Sequence, residues 1–325
     1  MADDAGADAT ADAAASSRQP PPSAGPRASD GSDAVTLVIS RLYLGDTDRD
    51  GTPNANGWAQ YGYDLDRRTT TASSTDVCTP IGTRPVLDGT NGVDNAFGRS
   101  VLPVLLGLSS DFTTRTNDSL AAGGASTLFT IDALGSGANY DPLAGRVYLS
   151  QSLRGAPLYD GTDQFPIDPS SLTNAADVST ARTRLDAAYL VGNTLVARPT
   201  EPVQLNLQVG PSAALVLSIT HAIVTMDLAA DRRSATNGTI AGILRTSQLA
   251  TAVGTFLGQV SASLCNPTTA SGVLARVRQS SDILSSGAQD NTMPCDGISI
   301  GLGFDAARVQ LGAIGAPITP TNPCP

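Results

Sequence analysis

Apolar residues at every second position, in runs closed by Gly, Pro, Asn or Asp, recur along this chain and favour a strand-built fold. Residues 35–44 (VTLVISRLYL), 127–134, 145–153, 187–197 and 203–209 carry this alternation. It turns one face of an extended strand to a core and the other to solvent. Residues 215–228 form a longer β-rich run, Asn237-Gly238 reads as the turn into a strand over 239–244, and 297–304 and 308–314 read as the last strands. Helical spacing is confined to 95–106, with Pro103 as a kink, and to 247–264 and 269–284, which end at Gly287. Strands, then helices, then strands: the expectation is a mainly β fold. Its form would be an antiparallel β-sandwich, jelly-roll-like, with an inserted helical hairpin at about 246–286. A chain of 325 residues can bury one large core, so residues 35–325 are read as a single domain.

Residues 1–34 differ in kind. Ala, Asp and Ser dominate, followed by Pro20-Pro21-Pro22, a composition that cannot bury enough apolar area to offset its ordering entropy. The expectation is a disordered leader. It has neither the basic n-region nor the apolar h-region of a signal peptide. It resembles the spacer that follows the lipid-modified cysteine of bacterial surface lipoproteins, which implies a signal sequence and lipid anchor upstream. No apolar run reaches the roughly 18 residues of a membrane-spanning helix.

Charge narrows the partners. All 20 basic residues are Arg, and every acid except Glu201 is Asp, the short carboxylate of turns, caps and metal loops. Residues 1–94 hold 14 acids against 7 Arg, and the rest of the chain 16 against 13. The acidity is therefore local, and no basic stripe offers itself to nucleic acid. Cys78, Cys265, Cys295 and Cys324 allow three pairings. Cys265–Cys295 with Cys78–Cys324 is the expected pair, clasping the helical excursion and the tail; four reduced buried thiols are the alternative. A disulfide framework points to export.

The stretch Asp46-Thr-Asp48-Arg-Asp50-Gly51-Thr52-Pro-Asn54 sets three carboxylates at alternate positions before a turn glycine and an amide. That pattern wraps oxygen ligands around Ca²⁺, with Thr52 offering its carbonyl. The twelfth position falls on Gly57, where an EF-hand needs a bidentate Glu, and a β pattern precedes the loop. The loop is instead similar to those of thrombospondin type 3 repeats, a likeness that implies ligands from elsewhere. Asp64 and Asp66, placed on one face of a strand by their spacing, and the turn carrying Asp88 and Asp94 are the candidates. The bland reading of all three clusters is a set of Asx-turns without metal. Asp160-Gly-Thr-Asp163, with Asp168 beyond it, reads as a turn.

Catalytic motifs are mostly absent. Without Lys there is no P-loop and no Schiff-base lysine, and the single His221 alternates with apolar residues as a sheet residue. Gly301-Leu-Gly303-Phe-Asp-Ala306 matches a dinucleotide fingerprint only as a string, because 19 residues cannot complete a βαβ unit. Residues 237–244 (NGTIAGIL), 295–304 (CDGISIGLGF) and 87–98 (LDGTNGVDNAFG) resemble a family of uncharacterised predicted lipoproteins from large-genome Gram-negative bacteria. The resemblance covers most of 35–315 and implies an exported location in the periplasm, at the outer-membrane surface or outside the cell. The functional expectation is a calcium-stabilised, non-enzymatic surface protein with a binding or structural role. Its partner would be a carbohydrate or a surface protein, with Trp58, Tyr61 and Tyr63 as the available stacking platform. A secreted polysaccharide hydrolase or lyase using Asp residues is the alternative.

Overall fold

The computed structural model describes residues 19–210, 213–318 and 324. Its strands are β1 (Val35–Tyr43), β2 (Thr127–Ile131), β3 (Tyr140–Leu143), β4 (Gly145–Leu149), β5 (Gln164–Ile167), β6 (Thr183–Arg184), β7 (Ala188–Val191), β8 (Thr194–Ala197), β9 (Val203–Gly210), β10 (Ala213–Leu228), β11 (Ser234–Arg245) and β12 (Gly297–Ile314). They form one sheet in the order β3-β7-β8-β10-β11-β12-β1-β2-β4-β6, with β9 on β10 and β5 on β12. All pairs are antiparallel except β5–β12. The sheet curls into a half-barrel. The alternation thus predicted the antiparallel β class; two stacked sheets of a sandwich are not what this strand path describes.

Bulges supply the curl. Within β10 the register shifts between Thr220 and Ile223, where His221 takes a φ of 50°, and such bulges bend and twist a strand. One half of β10 then pairs with β9 and the other with β8, while β11 spans the bend. Asn237-Gly238, expected as a hairpin turn, is a second bulge inside β11, with the φ of Asn237 at 52°. The ring of Phe304 would lie 2.6 Å from any Cβ at Gly238, so only glycine fits there. The turn itself is at 229–234, closed by a bond from the Ala229 amide to the Ser234 carbonyl. The two final strands expected from the sequence are one continuous β12.

One face of the sheet holds the main core. The helices α1 (Leu102–Leu108), α2 (Phe112–Ala121), α3 (Thr246–Val260) and α4 (Pro267–Gln279) contribute to it. Leu249, Val253, Phe256 and Leu257 form the buried stripe of α3, and Phe256 meets Phe112 edge-to-face at 5.7 Å. The sequence did not announce α2, because its buried positions are Phe112, Thr113, Thr116 and Leu120, only two of them apolar. Helices α3 and α4 lie between β11 and β12 and pack on each other, and the Asn266 side chain caps α4.

Two expectations change. Disulfides join Cys78 to Cys295 and Cys265 to Cys324, not Cys265 to Cys295 and Cys78 to Cys324. The reason is a two-way backbone exchange: Thr79 donates to the Met293 carbonyl (2.8 Å) and Cys295 to the Thr79 carbonyl (2.9 Å). This exchange brings the Cys78 and Cys295 Cα atoms to 5.1 Å. Of the expected leader, residues 1–18 lie outside the described residues, whereas 19–34 are laid against the body. Arg27 and Asp141 exchange backbone bonds of 2.9 and 2.8 Å along the otherwise unpaired edge of β3. The Asp30 carboxylate accepts from Tyr140, Ser29 donates to the Ala133 carbonyl, and Gln19 Nε2 donates to the Asp64 carbonyl at 2.6 Å.

Candidate metal centre

Asn95 anchors the centre. Fully enclosed, its Nδ2 donates to the carbonyls of Trp58 (3.0 Å), Tyr61 (3.2 Å) and Gly301 (2.8 Å), and its Oδ1 accepts from the Gly98 and Gly301 amides. The segment at Tyr61 therefore crosses β12 so closely that a Cβ at Gly301 would lie 2.2 Å from the Tyr61 carbonyl oxygen. Asp94 precedes Asn95 and its amide donates to the Tyr63 carbonyl at 3.1 Å. The turn that carries Asp88 folds back through a bond from Gly89 to the Val93 carbonyl (2.7 Å), with Asn91 at φ 58°.

These constraints bring Asp64, Asp66 and Asp94 together, with one carboxylate oxygen from each lying within 4.8 Å of the others. Residues 63–69 are irregular, not the expected strand, yet the i, i+2 spacing still points Asp64 and Asp66 into one space. Asp94 is 2 % exposed and Asp64 8 %. Backbone amides hold the acids in place: Leu65 donates to Asp94 Oδ2 (2.6 Å), Arg68 to Asp64 Oδ1 (3.1 Å) and Asp66 Oδ1 (2.9 Å), and Thr70 to Asp88 Oδ2 (2.5 Å). The Arg68 guanidinium is turned away, to the carbonyl and carboxylate of Asp76.

Two residues that the sequence did not flag complete the surroundings. Gln289 Nε2 donates to Asp66 Oδ2 (2.7 Å) and to the Asp282 carbonyl (3.0 Å), while its Oε1 accepts from the Cys78 amide (2.7 Å). The Asp282 carboxylate faces inward and accepts from both the amide (2.8 Å) and the hydroxyl of Ser299, a residue with no exposed surface. Nothing local marks Asp282 or Gln289 as site residues, since both meet the cluster across some 200 positions of chain.

Burial and the charges of neighbouring acids raise three of the carboxyls, Asp88, Asp94 and Asp282. Asp94 is pushed well above the usual carboxylate range by burial and then by the negative charges of Asp66, Asp282 and Asp88. Burial is also the leading cause for Asp88, raised to about 6, and Asp282, raised to about 7; for each, nearby Asp residues add to the rise. Asp88 also hydrogen-bonds Asp94. No cation counts among the principal influences on any of the three. Such a group must bind protons or a positive ion to remain compact. Every donor is an oxygen, which suits a hard cation such as Ca²⁺, Mg²⁺ or Mn²⁺. The Asp64, Asp66 and Asp94 group could therefore hold a metal ion.

The 46–54 loop is arranged differently. Among the described residues the only convergence of three or more carboxylate, imidazole or thiol ligands is Asp64, Asp66 and Asp94, so the carboxylates of Asp46, Asp48 and Asp50 do not converge in that way. Asp48 Oδ1 accepts from Asn54 Nδ2 (2.8 Å) and Gln60 Nε2 (3.0 Å), and Asp50 Oδ1 accepts from the Thr52 amide (2.8 Å). The Thr52 carbonyl accepts from the Asp48 amide (2.8 Å). One atom is left over, the buried Asp46 Oδ1, which has no hydrogen-bond partner. The 160–163 turn closes on itself in the same manner, with Asp160 Oδ1 taking both the amide and hydroxyl of Thr162, and Asp168 caps a short turn at Ser170.

Trp58 and Tyr61 do not form a stacking platform, because Trp58 is 9 % exposed beneath the Arg99 guanidinium and Tyr61 is 1 % exposed. His221 is exposed at the β10 bulge. Comparison of the chain with protein-family models, curated proteins and solved structures returns no match.

Proposed function

We propose that the chain is an exported, calcium-stabilised, non-enzymatic protein with a binding or structural role at the cell surface, partnered by a carbohydrate or another surface protein. The observation that carries the calcium reading is the convergence of Asp64, Asp66 and Asp94, adjoined by Asp88 and Asp282. Asp88, Asp94 and Asp282 are raised by burial and by neighbouring acids, with no cation among the principal influences on those three. Ca²⁺ takes six to eight oxygens in flexible geometry, which suits carboxylates drawn from three separate segments better than the strict octahedron of Mg²⁺. Two disulfides support an oxidising compartment; a lipid anchor upstream and membership of a lipoprotein family rest on sequence resemblance alone.

The alternative of a polysaccharide hydrolase gains nothing from this centre, since a polymer cannot reach a carboxylate as enclosed as Asp94. Trp58 is a natural reporter, because its carbonyl is bonded by Asn95, the neighbour of Asp94. Calcium added to chelator-treated protein should change Trp58 emission and raise the melting temperature, with about 2.7 kcal/mol gained at a hundredfold excess over Kd. An unchanged melting curve at millimolar calcium would remove the proposal.

A further inference from the structure

The carbohydrate half of the proposed function loses its expected platform once Trp58 and Tyr61 are buried, and a cleft lies elsewhere in the fold. Where β6 and β4 approach the start of β9, a cleft of about 500 Å³ opens on the surface, within the roughly 300–1,000 Å³ of small-molecule clefts. Thr183 ties its floor together, its hydroxyl donating to the Pro202 carbonyl at 2.7 Å, and Gln204 lies beside it. Its rim carries Arg182, Arg184, Asp186 and Glu201, the only Glu of the chain.

Two of these charges are paired and two are not. Arg184 meets Asp186 at 3.0 Å, whereas none of the ion pairs among the described residues engages Arg182 or Glu201. Arg182 spends its Nε on the Ser170 carbonyl, and both side chains stand exposed at the cleft.

The geometry points to a binding site for a short neutral oligosaccharide. Each sugar hydroxyl both donates and accepts, so its ideal lining mixes guanidinium donors, carboxylate acceptors, hydroxyls and amides, as this one does. Two Arg against Asp186 and Glu201 make the lining neutral, which gives no preference to phosphate or sulfate. The net charge of −10 on the whole chain repels acidic polymers further. An apolar ligand would strand these polar groups without partners.

The inference deepens the carbohydrate-partner reading and is independent of calcium. Saturation-transfer NMR on the full chain, with maltotriose, cellotriose and triacetylchitotriose as probes and glycylglycine as control, tests it. At least one trisaccharide should receive saturation, and Glu201→Gln and Arg182→Ala should each weaken it tenfold or more with unchanged thermal melts. Asp94→Asn should leave the signal intact, which separates this site from the metal centre. Silence from all three sugars, a signal that survives both rim substitutions, or binding of glycylglycine in their place would each overturn the assignment.

Discussion

The 46–54 loop and the centre formed by Asp64, Asp66, Asp88, Asp94 and Asp282 are both acidic, yet they solve opposite problems. In the loop Asp48 and Asp50 are matched nearby, and only Asp46 Oδ1 is left over. Amides take up Asp48 and Asp50, the Thr52 contacts hold Asp50 below the usual range with a smaller contribution from Arg41, and Arg49 stacks over Tyr61 alongside. In the centre amides also reach the acids, but Asp88, Asp94 and Asp282 face other carboxylates, and burial drives the protonation of these three upward. The loop has the ligand spacing of a metal site; the centre has the charge imbalance of one. Spacing along a chain records what a turn needs, whereas unbalanced buried charge records what the fold still lacks.

The largest test of this contrast is removal of the Cys78–Cys295 bridge. Cys78→Ser with Cys295→Ser should cost about 2–5 kcal/mol in urea unfolding and abolish the calcium response, because Gln289 and Asp282 are held to the centre from that side. Asn95→Ala comes next, with a loss of about 3 kcal/mol from stranding buried carbonyls and amides, measured by the same denaturation.

The third test is pH. Asp88 and Asp282 titrate in the folded state at about 6 and about 7, above the roughly 3.9 of an unfolded Asp. Their protonated forms therefore stabilise the chelated protein fully below pH 4. That contribution is lost as pH climbs from about 4 through 6 and 7, and is gone above that range. Calcium should flatten the decline, and a chelated protein whose melting temperature rises from pH 5 to 7.5 would contradict the charge imbalance.

Asp94→Asn sharpens the comparison further. It should stabilise the chelated protein by about 1 kcal/mol through lost repulsion and cancel most of the calcium-induced rise in melting temperature. The smallest effect belongs to the loop: Asp48→Asn should change stability by no more than about 0.5 kcal/mol and leave the calcium titration of Trp58 emission unaltered.

The contrast also marks how far the sequence could be read. Strands β1 and β9 are legible because their alternation is clean, and Asp64 and Asp66 are legible because i, i+2 residues share a direction in extended or irregular backbone alike. The Asp88-to-Asp94 turn is legible from its glycines. Asp282 and Gln289 are not, since their roles are created by the crossing of residues 61–66 over β12 and by the Thr79–Cys295 backbone exchange. The disulfide pairing fails for the same reason. Asn237-Gly238 misleads because a left-handed residue serves a bulge as well as a turn, and only the pressure of the Phe304 ring distinguishes the two.

The strap at 19–34 gives the molecule a direction of pull. Force entering from the N-terminal side meets the Gln19 bond to the Asp64 carbonyl first and the Arg27–Asp141 exchange only afterwards. Tension applied at Gln19 would therefore tug at the carboxylate centre before it reaches the edge of the sheet. A cation held by Asp64, Asp66 and Asp94 would stiffen the very segment on which that bond pulls.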